Sequence, residues 1–165
     1  MYPVFASARV SRIAAAVLVA GLLGACASKN TDADGAGGAG GASTPGSIQD
    51  FVVNVGDRVF FDSDSSEING QGQQTLDKQA QWLSRYPRYS FTLEGHADER
   101  GTREYNFALG ARRAEAAKNY LVARGVGANR IRTTSFGKER PVAVCNDISC
   151  WSQNRRAVTV LNGGG

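Results

Sequence analysis

From Ala27 to Ser47 the chain is dominated by Gly, Ala, Ser, Thr and Asp, and Gly35 to Gly41 contains only Gly and Ala. Such a stretch buries too little apolar surface to offset the entropy of ordering it. It therefore divides the sequence into a leader (1–25), a tether that starts at Cys26 and ends at residue 47, and a single region, 48–162, that must hold the whole fold. The twenty-one residues from Ala27 to Ser47 reach at most ~70 Å when fully extended and roughly 25 Å root-mean-square as a coil. A region of this size can bury one core but has little room for two. The formal charge of +4 owes half its value to Arg9 and Arg12 in the leader, where there is no acid. With the leader removed, the excess of cations falls to two, too small to argue for nucleic-acid binding.

The leader reads as an address. Arg9 and Arg12 precede an apolar run from Ile13 to Leu23. As a helix that run is roughly 16 Å long, about half a bilayer core, so it does not span. A basic start followed by a short apolar stretch is the pattern of a secretory signal. Leu23-Gly24-Ala25-Cys26 resembles a bacterial lipobox, in which small residues fit the peptidase and the thiol accepts a diacylglyceryl group. The resemblance implies that Cys26 becomes the acylated first residue. Ala27 stands where an inner-membrane retention signal would carry Asp, which implies the outer membrane. Several acyl chains on one Cys anchor stably, at ~0.8 kcal/mol for each buried CH₂.

Within 48–162, strand-like and helix-like patterns alternate. Val52 to Phe61 is β-branched and aromatic and predicts a strand interrupted at Gly56-Asp57. Leu76, Ala80 and Leu83 recur at helical spacing between Gly70 and Arg85, ahead of Tyr86-Pro87. Ser90 to His96 alternates as a strand. Tyr105, Leu109, Ala116, Tyr120 and Leu121 predict a helix over 102–124, closed by Gly125. Ile131 to Phe136 and Ala157 to Leu161 supply two more strands. The order β-α-β-α-β-β predicts an α+β sandwich with helices packed on a small mixed sheet.

Chemistry concentrates between Gly95 and Ala114. Asp98 lies just past the second strand, in a loop leading into a helix. Asn106 and Arg113 are seven residues apart, so they differ by only about 20° around that helix, with Leu109 between them. A loop carboxylate beside an amide, an apolar side chain and a guanidinium complements a small zwitterion. The same spacing equally allows Asp98 and Arg113 to bridge each other, with Asn106 an ordinary helix residue.

The run Glu94 to Ala114, Ser135-Phe136-Gly137-Lys138-Glu139-Arg140-Pro141 and Asn154-Arg155-Arg156-Ala157-Val158 resemble the OmpA-like domain family. The likeness covers about residues 60–161, and the lipobox and tether are similar in layout to its lipid-anchored members. It implies a domain that binds the diaminopimelate of peptidoglycan stem peptides without cleaving them. The family's key Asp falls on Asp98 and its key Arg on Arg113. Asn106 and Leu109 match supporting positions, and Asp64 lies nearby. Gly110 stands where many porin-type relatives have Ser, and Ala97 where Thr is usual. The resemblance further implies TolB and other Tol proteins as partners, with a role in envelope constriction at division. A family member outside the Tol system, or an envelope hydrolase, are the alternatives.

Other readings of these residues are poorer. Glu94, His96 and Asp98 alternate, but His96 is the only histidine, whereas catalytic zinc takes several His or Cys ligands. No Ser or Cys sits in a recognisable nucleophile setting with it. The expectation is a binder that is no enzyme and takes no metal or cofactor beyond the lipid. Arg112, Arg113, Lys118, Arg124, Arg130 and Arg132 are interspersed with acids, as a solvated face would be. Once Cys26 is acylated, Cys145 and Cys150 are the two remaining thiols, and an oxidising compartment favours a disulfide between them.

Overall fold

The computed structural model describes residues 43–163. The leader, Cys26 and the tether up to residue 42 lie outside the described residues, and so do the expectations that fall on them. Four strands, β1 (Arg58–Phe60), β2 (Ser90–His96), β3 (Ile131–Gly137) and β4 (Arg156–Asn162), form one sheet in the order β1-β4-β2-β3. β4 runs antiparallel to β1 and β2, while β2 and β3 are parallel. The helices are α1 (Ile48–Asp50), α2 (Gly70–Arg85), α3 (Arg103–Ala123) and α4 (Ile148–Asn154). The expected α+β architecture on a mixed sheet is present.

The core follows from the two periodicities. Val59, Phe91, Leu93, Ala157 and Leu161 leave one face of the sheet and meet Leu76, Ala80 and Leu83 of α2 and Ala114, Ala117 and Leu121 of α3. Both long helices start at side-chain caps. The Asn69 side chain accepts from the Gly72 amide, and Thr102 accepts from the Tyr105 amide. β2 feeds directly into the loop at Asp98, and α3 begins five residues after Asp98. Gly95 of β2 and Gly110 of α3 face each other so closely that a Cβ on Gly95 would lie 1.8 Å from the Gly110 carbonyl oxygen. Two missing side chains thereby let a helix backbone rest on a strand backbone.

Two elements differ from the sequence reading. Val52 to Val55 is not strand: Phe51–Gly56 is a wide helical turn that continues α1. Ser47 caps α1, from which the turn continues, and the Asp50 carboxylate accepts from Gly46, Asn54 and the Trp82 indole. Val53 is 67% exposed, so local capping prevails over β-propensity, which carries weight only where a sheet offers neighbours. Only Arg58–Phe60 pairs, with β4. The second difference is α4, a short helix that the strand-and-helix count lacked.

The folded unit also begins before Ile48. Gly46 adopts φ +78, and a side chain there would run into the Tyr86 ring. Its carbonyl accepts from Arg88 and from the Tyr89 hydroxyl. The last residues that composition placed in the tether are therefore docked on the domain. Near the other end, Cys145 and Cys150 are joined by a disulfide with Cα atoms 5.7 Å apart, as expected, and it closes the loop that leads into α4.

A candidate binding cleft at the end of the second strand

A cleft of about 230 Å³ opens where β2 ends and α3 begins. Its lining comes from Ser63, Asp64, Asp98, Arg100, Gly101, Tyr105, Asn106 and Leu109. Four of the five expected ligand residues, Asp64, Asp98, Asn106 and Leu109, are thus brought together. Asp64 sits in the left-handed region at φ +58, which a short polar side chain tolerates, and its carboxylate accepts from the Tyr105 hydroxyl. Asn106, buried on the first turn of α3, donates to the Arg100 carbonyl at 2.7 Å and so fastens the loop to the helix.

Arg113 is elsewhere. It shares the buried face of α3 with Asn106 and Leu109, as the spacing requires, but it is 0% exposed and does not line the cleft. Its guanidinium donates to three backbone carbonyls: Ser65 at 2.8 Å, His96 at 2.8 Å and Asp62 at 3.0 Å. Burial, with Arg155 nearby, pushes its pKa down to about 10, so it remains charged at neutral pH. Arg113 is a buried tie between the Asp62–Ser65 loop and the end of β2, directly behind the cleft wall. The Asp98–Arg113 bridge is not formed either.

The partners of Asp98 are Arg100 and Arg155. Arg100 donates from its amide (3.2 Å) and Nε (3.2 Å) to Oδ1, and from Nη2 (2.7 Å) to Oδ2. Buried Arg155 reaches Oδ2 at 3.4 Å while donating to the Phe61 carbonyl. Burial alone would raise the Asp98 pKa, but these donors together hold it below the usual carboxylate value. Sequence reasoning missed both arginines. Arg100 was legible as a cation two residues from the carboxylate, whereas no local pattern points from Arg155 to Asp98.

His96 lies on β2 just ahead of the cleft, 2% exposed, stacked on Phe136 and with neither ring nitrogen hydrogen-bonded. Burial, helped by Arg156 and Arg140, lowers its pKa from 6.5 to about 4. The neutral ring is the folded form, so stability is full above pH 6.5, declines as pH falls toward 4, and levels off below. Two to three pKa units correspond to roughly 3 kcal/mol. Urea midpoints measured from pH 7 to 4 are expected to fall accordingly, and a His96→Phe variant should fall much less. Equal slopes would remove His96 as the cause.

Comparison with known proteins identifies the family. The OmpA family model matches residues 60–155. A protein of Rhizobium meliloti named peptidoglycan-associated lipoprotein is 68% identical over 146 residues, covering 87% of this chain and 83% of that protein. Its namesake in Brucella melitensis is 64% identical and covers 94% of both chains. That of Haemophilus influenzae is 41% identical, covering 90% of this chain and 98% of the other. Among solved structures, the peptidoglycan-associated lipoprotein of Burkholderia pseudomallei has a TM-score of 0.63 at 44% identity, over 64% of this chain and 90% of that one. The C-terminal domain of Helicobacter pylori MotB, at 22% identity and a TM-score of 0.61 over 65% of this chain and 84% of that one, shares the fold. The chain belongs to the OmpA family, among its peptidoglycan-associated lipoproteins.

Proposed function

We propose that this protein is a non-enzymatic tether, held in the outer membrane by a lipid on Cys26, whose periplasmic domain grips peptidoglycan through the diaminopimelate end of the stem peptide. The observation that carries the reading is the Asp98 carboxylate, kept ionised at a cleft lined also by Leu109, Asn106, Ser63, Tyr105, a second carboxylate, Asp64, and the Arg100 guanidinium that bonds Asp98. An ammonium is the charge complement of that carboxylate. Arg113 adds a buried positive charge behind the wall and fixes the loop that carries Ser63 and Asp64. Binding without cleavage accords with the burial of His96, which leaves no exposed imidazole to act as a base. Engagement of TolB and the Tol proteins, and support of envelope constriction, rest only on the family resemblance of the sequence.

Purified sacculi should retain the protein, and free diaminopimelate should release it. Since tenfold is ~1.4 kcal/mol and loss of one partner of a desolvated charge pair costs ~2–5 kcal/mol, Asp98→Ala is expected to weaken retention at least tenfold. Retention of Asp98→Ala at the wild-type level would exclude the cleft as the binding site. The anchor is tested separately. Cys26→Ser is expected to move the protein out of the outer-membrane fraction, and mass spectrometry of the extracted wild type should show an acylated Cys26 at its N-terminus. An unmodified N-terminus would end the lipoprotein reading.

A further inference from the structure

The Asp98 carboxylate is already full. A carboxylate offers about four lone-pair sites, and four N–H groups of this same chain point at the two oxygens, three from Arg100 and one from Arg155. An incoming ammonium has no open position. Arg155 is poorly placed to yield, because it is buried and also holds the Phe61 carbonyl. Arg100 is well placed. Its side chain is 42% exposed and itself lines the cleft.

Arg100 also has somewhere to stay once it lets go. Its guanidinium lies over the Trp151 ring at 4.2 Å and donates to Ser63 Oγ at 2.8 Å. Trp151 is fixed in turn: it follows Cys150 of the disulfide, sits on α4, and its indole donates to Glu99. The aromatic platform therefore remains when the carboxylate changes partner.

We propose that Arg100 is a built-in competitor for Asp98, a latch that holds the carboxylate in the free protein and is exchanged for the ligand's ammonium on binding. The inference rests on the reading of the cleft as a diaminopimelate site and concerns its regulation. Affinity is then the intrinsic value reduced by the fraction of molecules with the latch open. It also makes the site selective, since a neutral group cannot displace a guanidinium from a carboxylate.

The test is calorimetric titration of the detergent-extracted full-length protein with the tripeptide L-Ala–γ-D-Glu–meso-diaminopimelate, and with the same tripeptide acetylated on the side-chain amine of its diaminopimelate. Arg100→Gln removes the charge and keeps a polar side chain on an exposed loop. It is expected to bind the free-amine tripeptide about two- to fivefold tighter, the range of an exposed ion pair. The acetylated peptide should gain nothing. Tighter binding of both peptides, or unchanged or weaker binding of the free amine, overturns the latch; weaker binding would make Arg100 a ligand contact. Asp98→Asn separates this from the underlying reading. If wild type binds and Asp98→Asn does not, the cleft reading stands and only the latch is in question. If Asp98→Asn binds like wild type, both fail.

Discussion

Gly95→Ala is expected to abolish the native seating of α3 on β2, the largest effect of any single substitution considered. The added Cβ would lie 1.8 Å from the Gly110 carbonyl oxygen, 2.6 Å from its carbonyl carbon and 3.2 Å from the Ala114 nitrogen. All three are backbone atoms, so no rotamer change relieves the overlap. The whole helix must retreat, and the contacts of Ala114, Ala117 and Leu121 with the sheet loosen with it. Overpacking against a rigid backbone costs about 3 kcal/mol or more. The retreat also carries Asn106 and Leu109 away from Asp98, so binding should fail in whatever fraction still folds. Urea denaturation of the variant reads the effect, and a wild-type midpoint would show that the two backbones are not in contact.

Arg113→Ala should be nearly as severe, and for a reason that differs from ligand contact. It removes a charged donor from the carbonyls of Asp62, Ser65 and His96 and leaves a cavity beside Phe61. Unpaired buried polar groups cost ~1–3 kcal/mol each, with partial relief where water enters, so a loss of about 3–5 kcal/mol is expected. Arg113→Lys keeps the charge but cannot span three acceptors with the same planar fork, and it should recover only part of the loss. Thermal unfolding of both variants decides the matter. An unchanged melting temperature in Arg113→Ala would mean that the side chain is not structural.

What the sequence revealed and what it concealed divide along a physical line. α2, β2 and α3 were legible almost to the residue because each buries one face over several turns or pleats, and burial imprints a period. Asn106, Leu109 and Arg113 were correctly placed on one stripe for the same reason. The depth of Arg113 was not legible, because helical spacing gives azimuth and says nothing of what covers the side chain. Val52 to Val55 misled because β-branching reports a preference that needs sheet neighbours, whereas the Ser47 cap and the Asp50 contacts depend on Gly46, Asn54 and distant Trp82. α4 was missed because seven residues are too few to show a period, although Asp147, whose side chain accepts from Ser149, is a usable start signal. The Asp98–Arg155 contact joins residues 57 apart in sequence. Only the fold brings them together.

The Gly46 clamp bears on how the domain would carry tension. Gly46 is held by Arg88 and Tyr89, immediately before β2 begins, and Asp98 follows immediately after β2 ends. A pull between the N-terminal attachment and a ligand in the cleft therefore runs lengthwise along that one strand. β2 is interior to the sheet, paired with β4 on one side and β3 on the other. Load applied at the two ends of that strand is carried by its own covalent backbone, so neither ladder has to slide or open. If the chain is anchored as proposed, the sheet is spared for as long as the Gly46 clamp holds.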